Sequence, residues 1–222
     1  MSSRESANLD PQMKKNRDAL IDKPAPPVRI EVLLFIPNII GYIRIFLACC
    51  AFASFQEPAW FMALYTSSIA LDGVDGFVAR KLNQCTKFGA WFDVIIDLFS
   101  RGYLWCALFR WGYIIIFLEW VTFLSTHSRG EHWKIPEEKF PALVTMVMAN
   151  GFKTPAGFFA VGSLHVLPLW LYGYESRFFT QNLGLPMWLQ LTCIAILTFG
   201  RTVCSAVELF YCKEYVLDLL RH

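Results

Sequence analysis

Apolar residues along this chain come in long runs rather than in the short amphipathic stretches of a globular core. Six runs stand out, over residues 32–55, 60–78, 88–108, 112–126, 156–172 and 186–211. Roughly 20 mostly apolar helical residues cross bilayer hydrocarbon. The pattern therefore predicts an all-α integral membrane protein, a bundle of six transmembrane helices. The fourth run is short and the fifth contains Pro168, so a tilt or a kink is expected in both. Residues 140–149 are apolar but too few to span, and read as a helical extension or an interfacial segment. Polar sequence divides the chain into a tail over 1–30, one membrane domain over 31–212 and a short second tail over 213–222.

The placement of basic residues gives this bundle an orientation. Lys14, Lys15, Arg17, Lys23 and Arg29 lie in the N-terminal stretch, and Arg80, Lys81 and Lys87 in the second connection. Arg129, Lys134, Lys139 and Lys153 lie in the fourth connection, and Lys213 and Arg221 near the end. The first connection, around Gln56-Glu57-Pro58, has no basic residue, and the third and fifth carry only Arg110 and Arg177. By the positive-inside rule both termini are expected in the cytosol. Trp60, Trp111, Tyr113, Tyr172, Trp188 and Tyr211 fall near predicted span ends, where aromatic belts form.

Composition agrees with the pattern. The chain is 55% hydrophobic and 17% charged, too apolar to cover a soluble domain of this length. The net charge of +2 discriminates little, and no nucleic-acid partner is expected. Seven cysteines are scattered, most of them inside apolar runs and none in a C-x-x-C pair. They read as buried reduced thiols rather than zinc ligands or a disulfide framework. Residues 1–30 lack the apolar core of a signal peptide, so the first membrane helix is expected to direct insertion. Pro24-Ala25-Pro26-Pro27 reads as a stiff, extended lead-in to it.

One segment breaks the apolar pattern with acids. It reads Asp72-x2-Asp75-Gly76-x2-Ala79-Arg80-x8-Gly89-x3-Asp93-x3-Asp97. An ionised carboxylate at membrane depth costs about 2.5–3.5 kcal/mol even on a lenient scale. Residues three and four apart share a helix face. Asp72, Asp75, Gly76 and Ala79 therefore align on the second helix, and Gly89, Asp93 and Asp97 on the third. Opposed acidic faces repel unless a cation lies between them, and an all-oxygen set without His or Cys favours Mg²⁺ or Mn²⁺. The small residues permit close approach of a backbone or a ligand, and Arg80, one turn beyond Gly76, suits a phosphate. The bland alternative is a buried charge network in which these acids pair with Arg44, Arg101 or Arg201. Four carboxylates in this register with two glycines and an arginine favour chemistry.

On these residues the chain resembles the CDP-alcohol phosphatidyltransferase family, matching every fixed position of its signature. It is most similar to the eukaryotic phosphatidylinositol-synthase branch, through its size, its six runs, Phe35-Ile-Pro-Asn38-Ile-Ile-Gly41-Tyr42-Ile-Arg44 and Ala79-Arg80-Lys81-Leu82-Asn83-Gln84. The resemblance implies that Asp72, Asp75 and Asp93 bind the metal, with Asp72 and Asp93 bridging two ions. It implies that Asp97 is the general base and also touches a metal. Gly76, Ala79, Arg80 and Gly89 match positions that hold the CDP group, and Asn38 and Arg44 match first-span positions near the nucleotide and phosphates. The implied reaction transfers the phosphatidyl group of CDP-diacylglycerol to an alcohol, myo-inositol for this branch, with release of CMP, in the endoplasmic reticulum membrane, with a homodimer as the assembly.

After Asp97 the chain departs from that branch. Its fourth run ends in Ser125-Thr-His127-Ser-Arg129-Gly130-Glu131-His132, which keeps only part of a His-rich pattern. The fifth shows Ser163-Leu-His165-Val where the branch has an Asn-Glu string. No acceptor-binding residue is therefore assigned, and the same chemistry on a different alcohol remains open. His165, alone in an apolar run, reads as a hydrogen-bonded core residue, and Arg201 with Glu208 as a structural ion pair two turns apart. A silent membrane scaffold is the alternative outside enzymology, opposed by the intact signature. A cation channel would spread its acids along a path, whereas these cluster on two adjacent helices.

Overall fold

The computed structural model describes residues 27–128, 130 and 140–221. The basic residues of the N-terminal tail before Arg29, and Arg129, His132, Lys134 and Lys139 of the fourth connection, lie outside them. The chain divides into two compact units, 1–34 and 35–222. Within the first, the described part is a short 3₁₀ helix, Ile30–Leu34, entered through an exposed Arg29–Glu31 ion pair of 2.9 Å.

The second unit is helical, with no strand among the described residues. Its helices are α1 (Ile36–Ala53), α2 (Pro58–Lys81), α3 (Lys87–Leu108), α4 (Gly112–His127), α5 (Ala142–Phe152), α6 (Pro155–Glu175), α7 (Phe178–Gln181) and α8 (Met187–Leu220). Each of the six apolar runs becomes one helix: α1, α2, α3, α4, α6 and α8. Three of these, Ile36–Ala53, Pro155–Glu175 and Met187–Leu220, are long and apolar enough to cross a membrane; Gly112–His127 and Ala142–Phe152 are apolar but shorter.

Local chemistry sets the helix ends. Proline occupies the first turn of α1, α2 and α6, where its missing N–H costs nothing. Thr86 and Thr154 cap α3 and α6, their hydroxyls accepting from Gly89 N at 3.0 Å and Gly157 N at 3.2 Å. The end of α2 is a Schellman turn: Asn83 is left-handed (φ 54°), Gln84 N donates to Ala79 O and Asn83 N to Arg80 O. Gln84 then reaches back, its Oε1 accepting from Ile36 N at 3.1 Å, and ties this connection to the start of α1.

Three elements are defined more sharply by the structure than by the sequence. The segment expected over 140–149 is a separate helix, α5, which buries Val144, Val147 and Met148 against α6 and α8. It ends in three successive left-handed residues, Asn150, Gly151 and Phe152, a reversal that no helical periodicity encodes. Pro168 does not interrupt α6, which is continuous from Pro155 to Glu175 with Pro168 buried inside it. The last helix continues from the expected end near 211 to Leu220, because 212–220 contains neither Gly nor Pro to stop it.

Packing brings both acidic helices against α1. α1 lies along α2 and also packs on α3; α6 packs on α3, α5 and α8, and α4 bridges α3 and α8. Gly41 permits the close approach of α1 to α3, since a Cβ there would meet the Phe92 ring at 2.7 Å. An aromatic cluster closes the other end of the bundle: Phe55, Phe61, Tyr65 and Tyr172, with the Tyr172 hydroxyl donating to Phe55 O at 2.7 Å. Large apolar side chains, among them Phe46, Trp60, Phe117, Phe158 and Phe199, project outward, these five being 66–68% exposed.

Candidate active site

The helical register anticipated from the sequence is realised. α2 presents Asp72 and Asp75, and α3 presents Asp93 and Asp97. Facing them from α1 is Arg44, only 2% exposed. Its guanidinium contacts an oxygen of all four: Asp72 Oδ1 at 2.7 Å, Asp75 Oδ2 at 2.8 Å, Asp93 Oδ1 at 2.7 Å and Asp97 Oδ1 at 2.7 Å. The backbone of Arg44 is held as well, its carbonyl accepting from Ser68 Oγ at 3.0 Å. The charge network set against chemistry in the sequence is thus present, with Arg44 pairing all four acids and Arg101 pairing Asp97, and the same cluster is the candidate site.

The donor set fits a hard divalent cation. Asp72, Asp75 and Asp93 each offer one oxygen, and these atoms lie within 4.8 Å of one another. An all-carboxylate set of that size suits Mg²⁺ or Mn²⁺. Asp97 does not join this group of three. Four carboxylates sharing one guanidinium also leave the centre short of positive charge, even with Arg101 beside Asp97. The site is open on one side, with the Asp93 side chain 45% exposed and that of Asp75 only 11%.

Asp97 stands apart because other residues hold it. Its Oδ2 contacts His165 Nε2 at 2.8 Å and Arg101 Nη1 at 3.1 Å. His165 Nδ1 lies 3.0 Å from Val161 O, a carbonyl that only accepts, so Nδ1 donates to it, as Nε2 does to the Asp97 carboxylate. Arg101 Nη1 in turn lies 2.6 Å from His165 Nε2. Behind Arg101 runs a buried ladder of alternating charge. Arg101 Nε donates to Glu119 Oε2 at 3.0 Å, Arg201 Nη2 to Glu119 Oε1 at 3.3 Å, and Arg201 Nη1 to Glu208 Oε2 at 2.8 Å. Arg201 therefore pairs with Glu119 and Glu208 and with none of the four aspartates.

The positions matched to CDP surround this centre. Gly76 lies one residue beyond Asp75, and a Cβ there would meet only the Arg80 guanidinium, at 3.4 Å. Ala79 is half-buried and Arg80 exposed at the end of α2. Asn38 is buried, and its Oδ1 would lie 3.2 Å from a Cβ on Gly89, so glycine lets α3 approach α1 at that point. His127 is exposed at the end of α4 with its ring 5.5 Å from Phe123, away from the aspartates' contacts.

His165 is the residue whose partner the sequence did not reveal. It is hydrogen-bonded, as a core histidine would be, but to Asp97. Its sequence separation of 68 residues from Asp97 leaves no local spacing by which to find it. The one available signal was a polar side chain isolated in an apolar run.

No solved structure matches the chain. Among curated proteins, CDP-diacylglycerol–inositol 3-phosphatidyltransferase 1 of Arabidopsis thaliana is 46% identical over 79 residues, 35% of this chain and 35% of that protein. The Saccharomyces cerevisiae protein of the corresponding name is 42% identical over 79 residues, 35% of this chain and 36% of its own length. The Drosophila melanogaster one is 45% identical over 75 residues, 30% of each. The chain thus covers about a third of the length of these relatives. The profile of CDP-alcohol phosphatidyltransferases extends much further, over residues 34–212. That range holds every aspartate of the cluster, Arg44 and all but the last residues of α8, and the chain belongs to the CDP-alcohol phosphatidyltransferase family.

Proposed function

We propose that this protein transfers the phosphatidyl group of CDP-diacylglycerol to myo-inositol, giving phosphatidylinositol and CMP. The observation that carries the reading is the convergence of four carboxylates from two helices on one shared guanidinium. The names of the matched relatives supply the substrates.

In this reading Asp72, Asp75 and Asp93 hold Mg²⁺ or Mn²⁺. The bound cation supplies neutralisation of phosphate charge, its usual part in phosphoryl transfer. Arg80, exposed beside Gly76, meets the pyrophosphate as a forked donor, and Asn38 and Gly89 border the nucleotide. Asp97 takes the proton of the acceptor hydroxyl. His165 and Arg101 fix one of its oxygens and Arg44 the other, so the carboxylate is oriented before substrate arrives.

The six helices α1, α2, α3, α4, α6 and α8 serve as membrane spans with both termini cytosolic. Their outward apolar side chains support this, as hydrocarbon is the solvent in which such a surface is stable. The endoplasmic reticulum and a homodimer belong to the same reading and rest on the family resemblance.

The test is CMP release by purified protein given CDP-diacylglycerol, Mn²⁺ or Mg²⁺ and a panel of alcohols. Product with inositol alone is expected; product with another alcohol reassigns the acceptor, and none with any alcohol sinks the reading. Asp97→Asn is expected to lose at least about 100-fold in rate, the lower range of general-base assistance. Full turnover by that variant removes Asp97 from the role.

A further inference from the structure

Serine and threonine inside these helices mostly satisfy their hydroxyls on the preceding turn. Ser67, Ser125, Thr192 and Thr202 each donate to the carbonyl four residues earlier, at 2.7–2.8 Å. Ser100, in the middle of α3 and three residues past Asp97, does not. It is 8% exposed, and its Oγ has no hydrogen-bond partner among the described residues. Arg44 Nε is likewise buried without a partner, although both Nη atoms of that guanidinium are engaged. Leaving such groups dry and unpaired is costly in apolar surroundings.

Both residues line one small cavity. It measures about 10 Å³ and is walled by Arg44, Tyr65, Asp97, Ser100, Arg101 and His165, with Ser68 and Ile69 completing it. That is room for one water-sized oxygen. The other buried side-chain atoms without partners, Trp105 Nε1, Ser163 Oγ, Ser176 Oγ and Arg201 Nε, belong to residues outside its wall.

The chemistry of the wall selects the occupant. Arg44 Nε–H only donates, the Asp97 carboxylate only accepts, and Ser100 Oγ does either. An atom between them must accept from Arg44 and donate toward Asp97. A phosphate oxygen has no proton to donate and is repelled by the carboxylate. An ammonium has no lone pair for Arg44. A hydroxyl oxygen, from an alcohol or from water, meets both demands.

We propose that this cavity is the seat of the attacking hydroxyl, with Ser100 as a contact of the acceptor oxygen. The assignment rests on the phosphatidyl-transfer reading above and names a residue of the acceptor site. The alcohol oxygen, seated by Arg44 Nε–H and Ser100, forms a bond to the lipid-side phosphorus of CDP-diacylglycerol. The P–O bond to the bridging oxygen breaks, CMP leaves with that oxygen, and the hydroxyl proton passes to Asp97. The room admits one oxygen, so the site reads a hydroxyl group rather than a whole alcohol.

The test compares wild type, Ser100→Ala and the control Ser176→Ala as purified full-length proteins. CMP, phosphatidylinositol and phosphatidate are followed with CDP-diacylglycerol, Mn²⁺ and varied inositol. For Ser100→Ala the expected result is a KM for inositol about three- to tenfold higher, the worth of one neutral hydrogen bond. The KM for CDP-diacylglycerol, the Mn²⁺ dependence and the melting temperature stay at wild-type values, and Ser176→Ala behaves as wild type throughout. An unchanged KM for inositol overturns the proposal and leaves the function standing. A change confined to phosphatidate formation assigns the cavity to water and overturns it too. Loss of kcat with a lowered melting temperature and an unchanged KM makes Ser100 structural, which likewise overturns the proposal. Wild type that releases no CMP with any alcohol overturns both this assignment and the function on which it rests.

Discussion

Arg44 answers four carboxylates at once, and its removal tests how the centre is held together. Taking one partner from a buried ion pair typically costs about 3–5 kcal/mol, because the other charge stays behind unpaired. Arg44→Leu is therefore expected to lower the melting temperature sharply in the absence of divalent cations. Added Mn²⁺ should recover much of the loss by neutralising the same oxygens. Melting curves with and without Mn²⁺ in detergent check this, and equal loss under both conditions contradicts it. Gly41 is a second residue with a sharp expectation. A Cβ at that position meets Phe92 at 2.7 Å, so Gly41→Ala should cost about 1–3 kcal/mol as an overpacked contact. Gly73, where a Cβ meets nothing within 4 Å, is the matched control and should tolerate alanine. The aspartate spacing was legible at this scale because i, i+3 and i, i+4 neighbours share a helix face whatever the fold. The use of Arg44 as counter-ion to all four was not, since three of those contacts span 31, 49 and 53 residues.

Helices are joined here by charge as well as by apolar contact. The ladder Arg101–Glu119–Arg201–Glu208 crosses α3, α4 and α8, with Glu119 only 4% exposed between two arginines. Glu119→Leu leaves both guanidiniums buried without their shared partner, and a loss of about 3–5 kcal/mol is expected. Replacing Arg201 and Glu208 together by Met and Leu should cost less than either change alone. A double-mutant cycle on melting or urea midpoints measures that difference, and simple additivity of the two single changes counts against a ladder. Glu119→Leu should also slow CMP release, since Arg101 then loses the carboxylate that aims it at Asp97. The helices themselves were readable from runs of apolar residues bounded by proline and glycine. α5 escaped as a separate helix because left-handed residues at 150–152, and not a change of hydrophobicity, separate it from α6.

Over the whole molecule, the acids run from the middle of α2 and α3 toward the basic connection that joins them, and the Tyr172–Phe55 aromatic cluster lies toward the opposite end. In the proposed six-span arrangement the positive-inside rule sets the end with the basic connection toward the cytosol. In a variant that retains only Cys85 of the native cysteines, a membrane-impermeant maleimide should label the exposed Cys85 from the cytosolic face of sealed vesicles. A cysteine introduced by Glu57→Cys, in the connection without basic residues, should label from the opposite face alone. Labelling of both from one side would refute the six-span arrangement.

The chain by itself determined the helices, the faces on which the four aspartates lie, and the family signature. All three are local properties, set by helical periodicity and by spacing within a stretch of 26 residues, Asp72 to Asp97 inclusive. Tertiary structure alone decided which groups close around those acids. Arg44 comes from the preceding helix, His165 and the charge ladder from helices that follow, and Ser100 was left with an unpaired hydroxyl beside Asp97. Such encounters depend on how whole helices pack and rotate against one another, which no window along the sequence contains.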